Sequence, residues 1–189
     1  MSALAALQAG QPVVLPTDTV YGLCSLPDLE AVERLYQLKG RTPEQPTALL
    51  FAELDRLLAE FPSLDPRLAV VGPFTLVIAN PEGRYPWLTG AQPEAIGIRL
   101  PELPRESAEV IAQLGCVAAT SANLHGGPDP RTLDEVPEEI RAGCGAVVDG
   151  GELPGRPSTV IDLTGPEPKI LREGAVPAVE ALARVQAAQ

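Results

Sequence analysis

The sequence predicts an α/β protein of the α+β type, a twisted sheet of mixed parallel and antiparallel strands flanked by helices. Three observations carry this. Apolar runs of strand length alternate irregularly with segments of helical spacing. The 21 Pro and 17 Gly punctuate these runs and do not cluster, which marks fixed turns and not disorder. The length of 189 residues fits one domain, 1–189, without internal repeat or linker, and suffices for a core without disulfides. Aromatic residues are only 4% of the chain, so Leu, Val, Ile and Ala must fill that core.

The elements follow in order. Residues 2–9 read as a helix closed by Gly10. Residues 13–15 are a buried strand ending in the polar turn Pro16-Thr17-Asp18-Thr19. Asp28 is a good N-cap, and Leu29, Val32, Leu35 and Tyr36 follow at helical spacing up to Lys39 and Arg41. Residues 48–51 form a strand, 53–60 and 65–71 helices, 74–79 a strand. Residues 96–100 alternate and stop at Pro101. A helix at 105–114 leads to a strand at 116–119, which runs into Thr120-Ser121-Ala122-Asn123. A helix at 133–142, strands at 147–148, 159–163 and 170–171, and an Ala-rich helix at 177–188 complete the reading.

The charge narrows the function. With 14 basic and 25 acidic residues the net charge is −11, which repels phosphate, so an anionic ligand needs a local cluster of Arg and Lys. Cys24, Cys116 and Cys144 are widely spaced and odd in number, which reads as free thiols in a reducing compartment. The N-terminus does not read as a signal peptide, and no apolar run approaches the roughly 20 residues that span a bilayer. A cytoplasmic location is therefore expected.

The single histidine, His125, sits in a Gly-rich loop without a nucleophile elbow, and reads as a bystander. The patterns GxxxxGK[ST] and GxGxxG are absent, as are the His and Cys clusters of a zinc site, so no protein-held metal is expected. What remains is a set of anion-friendly groups at strand ends: Thr17, Asp18 and Thr19, then Arg99, then Thr120, Ser121 and Asn123, then Ser158 and Thr159, then Arg172. Ligands of α/β sheets collect at strand ends. Hydroxyl residues also cap turns there, but the recurrence favours a binding site.

The ordered segments PTDTVYGL, LKGRTPEQP, GPFTLVI, IGIRLP, TSANLHGGPDP, GRPSTVIDL and ILREG, from about residue 13 to 174, resemble the YrdC-like threonylcarbamoyl-AMP synthase family in its short, stand-alone form. The resemblance implies a YrdC-like fold with a concave, positively charged cleft. It also implies a nucleotidyltransferase that joins L-threonine, bicarbonate and ATP into threonylcarbamoyl-AMP and pyrophosphate, with Mg²⁺ on the nucleotide. A tRNA threonylcarbamoyl-transferase complex would take the product for N6-threonylcarbamoyladenosine formation. Tight direct tRNA binding is not expected.

By the same resemblance Lys39 and Arg41 face the reacting phosphates. Thr19, Arg99, Ala119 and Ser158 contact threonine. Gln45, Ser121, Asn123 and Arg172, with Arg41, contact ATP. The chain departs from the family pattern in reading Val71-Gly72-Pro73 where relatives have Trp-Pro-Gly. Leu50 replaces a threonine-contacting histidine and is expected to offer the substrate methyl an apolar contact. Ala95 and Asp129 stand where hydroxyl residues are usual. Two other readings compete. A paralogue that binds RNA or matures ribosomes would need a basic stripe, against the charge of −11. An enzyme making a different carbamoyl-adenylate would not need Thr19, Arg99 and Ser158 together.

Overall fold

The computed structural model describes residues 1–187. Its elements run α1 (Ala3–Gln8), β1 (Val13–Pro16), β2 (Tyr21–Ser25), α2 (Leu29–Lys39), β3 (Ala48–Phe51), α3 (Leu54–Glu60), β4 (Phe74–Ala79), β5 (Ala95–Arg99), α4 (Arg105–Leu114), β6 (Cys116–Ser121), α5 (Glu138–Gly143), β7 (Ala146–Val147), β8 (Thr159–Asp162), β9 (Lys169–Arg172) and α6 (Ala178–Ala187). Among the described residues one sheet carries nine strands in the order β7-β1-β2-β6-β3-β5-β4-β8-β9. The pairs β1–β7, β3–β5 and β4–β8 are parallel and the others antiparallel, so the sheet is mixed, as expected.

Strand alternation assigns each residue to one face of this sheet. On one face Leu23, Leu49, Phe74, Leu76, Ile96 and Ile98 join the larger core, which α2, α3, α5 and α6 cover with Val32, Leu35, Leu57, Ile140 and Val185. On the other face Val13, Leu15, Cys24, Leu50 and Val117 pack under α1 and α4 through Leu7 and Ile111. That second cover is incomplete. Further along the same face Gly22, Ala48, Gly97 and Ala119 line an open cleft. Two short helices cover one half of the face, and the uncovered half is the site.

Local signals account for the element ends. Asp28 accepts from Ala31 N at 2.9 Å to start α2, and Gly40, at φ 66°, closes it in the left-handed conformation that glycine adopts without strain. Ser2 caps α1 in the same way.

Four expectations need correction. Residues 21–25 form β2, which the sequence reading left without an element. This strand is buried along its whole length between β1 and β6, so it shows no alternation to read. The expected helix at 65–71 is a single 3₁₀ turn at Pro66–Leu68, because the chain turns at Gly72, with φ 128°, directly ahead of Pro73 and then enters β4. The expected helix at 133–142 is divided by Pro137, with a 3₁₀ turn at Leu133–Glu135 before it and α5 after it. The strand expected at 147–148 is Ala146–Val147. In the expected terminal helix, residue 188 lies outside the described residues.

Candidate functional site

The cleft encloses about 530 Å³ over the uncovered half of the sheet. Its floor is made of small residues, which let a ligand approach the backbone. A Cβ on Gly97 would meet Ala48 Cβ at 3.4 Å and Thr75 Cγ2 at 3.5 Å, and one on Gly22 would meet Thr17 Cγ2 at 3.2 Å. Of the nominated residues, Thr19, Arg41, Arg99, Ala119, Ser121, Ser158 and Arg172 line this cleft, so seven side chains from six separate segments converge.

One wall is built on the β1–β2 hairpin. Pro16 faces Tyr21 across the pair, which leaves Thr17–Val20 as the turn. Thr17 Oγ1 donates to Val20 O at 2.7 Å and accepts from Thr19 N at 3.2 Å, so a buried hydroxyl fixes the turn from within. The turn thereby presents Asp18 and Thr19 to the end of β5. Arg99 donates to Asp18 Oδ1 at 2.7 Å, and the same guanidinium nitrogen lies 3.3 Å from Thr19 Oγ1. Both side chains of the ion pair are nearly buried, at 11% and 8% exposure. Burial raises the Asp18 carboxyl pKa, with Arg99 opposing; burial lowers that of Arg99, with Asp18 opposing. Asp18 Oδ2 and Arg99 Nε have no partner.

The same wall continues through β4, β8 and β9. Ser158 Oγ and Thr75 Oγ1 are 2.7 Å apart, and Arg172 donates to Ser158 O at 2.9 Å and to Ser158 Oγ at 3.2 Å. This contact needs the chain after β9 to cross tightly over β8. Gly174 is the crossing point: a Cβ there would sit 2.2 Å from Pro157 O and 2.6 Å from Ser158 O.

The opposite wall holds the basic pair. Arg41 donates to Thr120 Oγ1 at 2.9 Å and to Pro46 O, while its Nε is buried without a partner. Lys39 takes a different position from the one expected. Its ammonium lies behind the loop after β6, donating to Ser121 O at 2.5 Å, Asn123 Oδ1 at 2.7 Å and Asn123 O at 2.9 Å, and the residue does not line the cleft. Burial pushes its pKa down to about 8, Arg41 adds repulsion, and Asp129 opposes. Asn123 is held on all sides: Oδ1 also accepts from Ser121 Oγ at 2.6 Å, and Nδ2 donates to Gly127 O at 2.6 Å. Lys39 and Asn123 therefore shape the loop that presents Ser121. Gln45 also stands off the cleft lining, with Nε2 3.4 Å from His125 Nε2 and Oε1 buried without a partner.

Unpaired buried polar atoms concentrate here. Among the described residues six buried side-chain polar atoms lack partners; five of them, Asp18 Oδ2, Arg41 Nε, Gln45 Oε1, Thr47 Oγ1 and Arg99 Nε, belong to the cleft walls or the residues directly behind them, and the sixth, Arg141 Nε, lies on α5 away from the cleft. Each such atom costs about 1–3 kcal/mol when left unmatched, so the cleft walls hold polar groups that the fold itself does not satisfy.

The family model for Sua5, YciO and YrdC, described as telomere recombination, matches residues 5–174. The chain belongs to the Sua5/YciO/YrdC family. It is 35% identical over 184 residues to a threonylcarbamoyl-AMP synthase of Pyrococcus abyssi, an alignment spanning 92% of this chain and 53% of that protein. It is 33% identical over 178 residues to a protein of the same name from Pseudomonas savastanoi, spanning 89% and 93%. The crystal structure of P. abyssi Sua5 complexed with L-threonine superposes with a TM-score of 0.81 at 33% identity, covering 96% of this chain and 56% of that one. E. coli YciO superposes with a TM-score of 0.73 at 26% identity, covering 95% and 90%. The chain thus spans about half the length of the Pyrococcus relative.

Within this family framework, sequence reasoning missed Thr75 and left Asp18 without a role. Both were visible as polar residues inside the motifs GPFTLVI and PTDT, but their partners Ser158 and Arg99 lie 83 and 81 residues away. Leu50 does not contact the cleft; it is fully buried beneath α4, which corrects the expectation of a methyl contact. Ala95 and Asp129 do line the cleft. Among the described residues no helix is long and apolar enough to cross a membrane, and no three His, Cys, Asp or Glu side chains are grouped to hold a metal.

Proposed function

We propose that this chain condenses L-threonine, bicarbonate and ATP into threonylcarbamoyl-AMP and pyrophosphate, the nucleotidyltransferase reaction that supplies tRNA threonylcarbamoylation. The observation that carries the reading is that three guanidinium groups, Arg99 and Arg172 on one wall and Arg41 on the other, face one cleft of about 530 Å³, which suits a ligand set with both a carboxylate and phosphates. Relatives named threonylcarbamoyl-AMP synthase, and a relative's structure with L-threonine, support it.

In this reading Arg99, held by Asp18, offers its guanidinium to the substrate carboxylate, with Thr19, Ala119 and Ser158 around the amino acid. The threonine amine and bicarbonate give a carbamate and water. A carbamate oxygen attacks the α-phosphorus, the bond from that phosphorus to the β-phosphate bridging oxygen breaks, and pyrophosphate leaves. No covalent enzyme nucleophile is needed. The burial-raised pKa values of the three thiols, each about 12, leave them as poor candidates for one.

Arg41 and Arg172 neutralise charge that develops on the phosphates, and Ser121 borders them. Lys39 acts from behind by fixing Ser121 and Asn123, and Gln45 borders the nucleotide side. Mg²⁺ fits as part of the ATP substrate. Glu44 and Asp129 are the carboxylates that line the cleft, and Mg²⁺ brought in on the nucleotide would rely chiefly on phosphate oxygens for its ligands. Bound there, it would supply screening of the charge on the pyrophosphate leaving group. A cytoplasmic location goes with this reading, and a threonylcarbamoyl-transferase complex would consume the product.

The test is pyrophosphate release from ATP by the purified protein. The reading expects release only when threonine and bicarbonate are both present; release without threonine, or none with all substrates, contradicts it.

A further inference from the structure

Thr75 lies at the centre of the amino-acid wall, and no motif reading gave it a role. Its neighbours Phe74, Leu76 and Ile78 point into the larger core, and Thr75 faces the cleft. β4 and β5 pair with Leu76 opposite Ile98 and Val77 opposite Gly97. The next pair in that register is Thr75 with Arg99, so the hydroxyl stands between Arg99 and Ser158 on one face, at the few-ångström spacing of cross-strand neighbours.

The hydrogen-bond inventory of this group is incomplete in a definite way. Each hydroxyl has one proton and two lone pairs. Arg172 can only donate, so it occupies a lone pair of Ser158 Oγ. One hydroxyl proton is used between Ser158 and Thr75. The other has no acceptor in this group, and both residues line the cleft. The dyad therefore presents one donor, with free lone pairs beside it, to whatever fills the cleft. With Arg99 answering the carboxylate in the reading above, a substrate hydroxyl is the group that matches the dyad in both directions, since it can accept this proton and return its own to a free lone pair.

We propose that Thr75, paired with Ser158, reads the side-chain hydroxyl of the amino-acid substrate and is a specificity-determining residue. This rests on the function proposed above. The amino acid is seated by Arg99, and the dyad selects a β-hydroxy side chain over its isosteric hydrocarbon. A site built to bond a hydroxyl rejects the analogue lacking it because the buried polar groups are left unpaired.

The experiment compares kcat/KM for threonine and valine in the wild type, Thr75→Val and Thr75→Ser, following product formation. Thr75→Val keeps the shape and removes the hydroxyl. Its threonine-over-valine ratio should fall by at least roughly tenfold, with the ATP KM within about twofold of wild type. Thr75→Ser should keep the wild-type ratio within about threefold. If Thr75→Val does not fold, Thr75→Cys, with only a weak thiol donor, carries the same comparison. A ratio unchanged in the hydroxyl-free variant, or lost equally in Thr75→Ser, overturns the assignment while the activity itself stands. A wild type that forms no product with threonine overturns both.

Discussion

Arg99 and Lys39 both carry buried charge, and their surroundings predict opposite consequences of substitution. Arg99 neutralises Asp18 inside the protein, so Arg99→Ala would leave an uncompensated buried carboxylate and cost about 3–5 kcal/mol of stability. Arg99→Lys is the informative variant, since it keeps the charge and loses the planar fork. It should raise the threonine KM by about tenfold or more and leave the ATP KM within about twofold; equal effects on both would remove Arg99 from the amino-acid site. In the proposed reading Arg41→Ala removes a cation that faces the phosphates, and it should lower kcat by roughly a hundredfold, about 3 kcal/mol by analogy with loss of one oxyanion donor. A folded Arg41→Ala variant with near-normal turnover would contradict that placement.

Lys39 gives a pH prediction. Its ammonium is within hydrogen-bonding reach of four oxygens of Ser121 and Asn123, and its pKa is near 8, below the ordinary 10.5. Between these values the native state has lost a proton that the unfolded chain keeps, so this group makes stability rise with pH across that window. The loop, however, loses a donor over the same window. Turnover should therefore fall as pH rises through about 8 while the melting temperature does not fall because of Lys39. Turnover flat to about pH 10 would contradict the clamp.

At the scale of elements, the β1–β2 hairpin is the part whose geometry the site needs most. Thr17→Val keeps the bulk of the turn and removes the hydroxyl that bonds Val20 O and Thr19 N. It should lower stability by about 1–3 kcal/mol in urea titrations and raise the threonine KM, because Thr19 and Asp18 lose their support. Unchanged stability would show that the turn is held by its flanking strands alone. Motifs that alternate or cap were readable: β5 alternates, and α2 has Asp28 and Gly40 at its ends. β2 was not, because a strand buried throughout carries no period, and the second helix before β4 was not, because the turn at Gly72 and Pro73 outweighed its apolar spacing. The candidate site divides likewise. Arg99 and Arg41 were legible as cations at element ends. The partners that give them direction, Asp18 and Thr120, were visible residues whose pairing only the sheet order reveals.

For the whole molecule, a net charge of −11 coexists with a cleft that draws three basic side chains inward, Arg41, Arg99 and Arg172. The sheet makes this possible by leaving half of one face uncovered and floored with glycine and alanine, so small anions reach the guanidinium groups while the outer surface repels polyanions. A gel-shift titration with tRNA at physiological salt should accordingly show no tight complex, and tight, salt-sensitive binding would revive the RNA-binding alternative. The central claim is that threonine, bicarbonate and ATP meet in this cleft. Mass spectrometry of the product formed with ¹³C-bicarbonate tests it most directly. The account predicts a threonylcarbamoyl-AMP whose mass rises with the labelled carbon, together with stoichiometric pyrophosphate. Unlabelled adenylate, or ATP recovered intact from a folded protein with all three substrates, would contradict it.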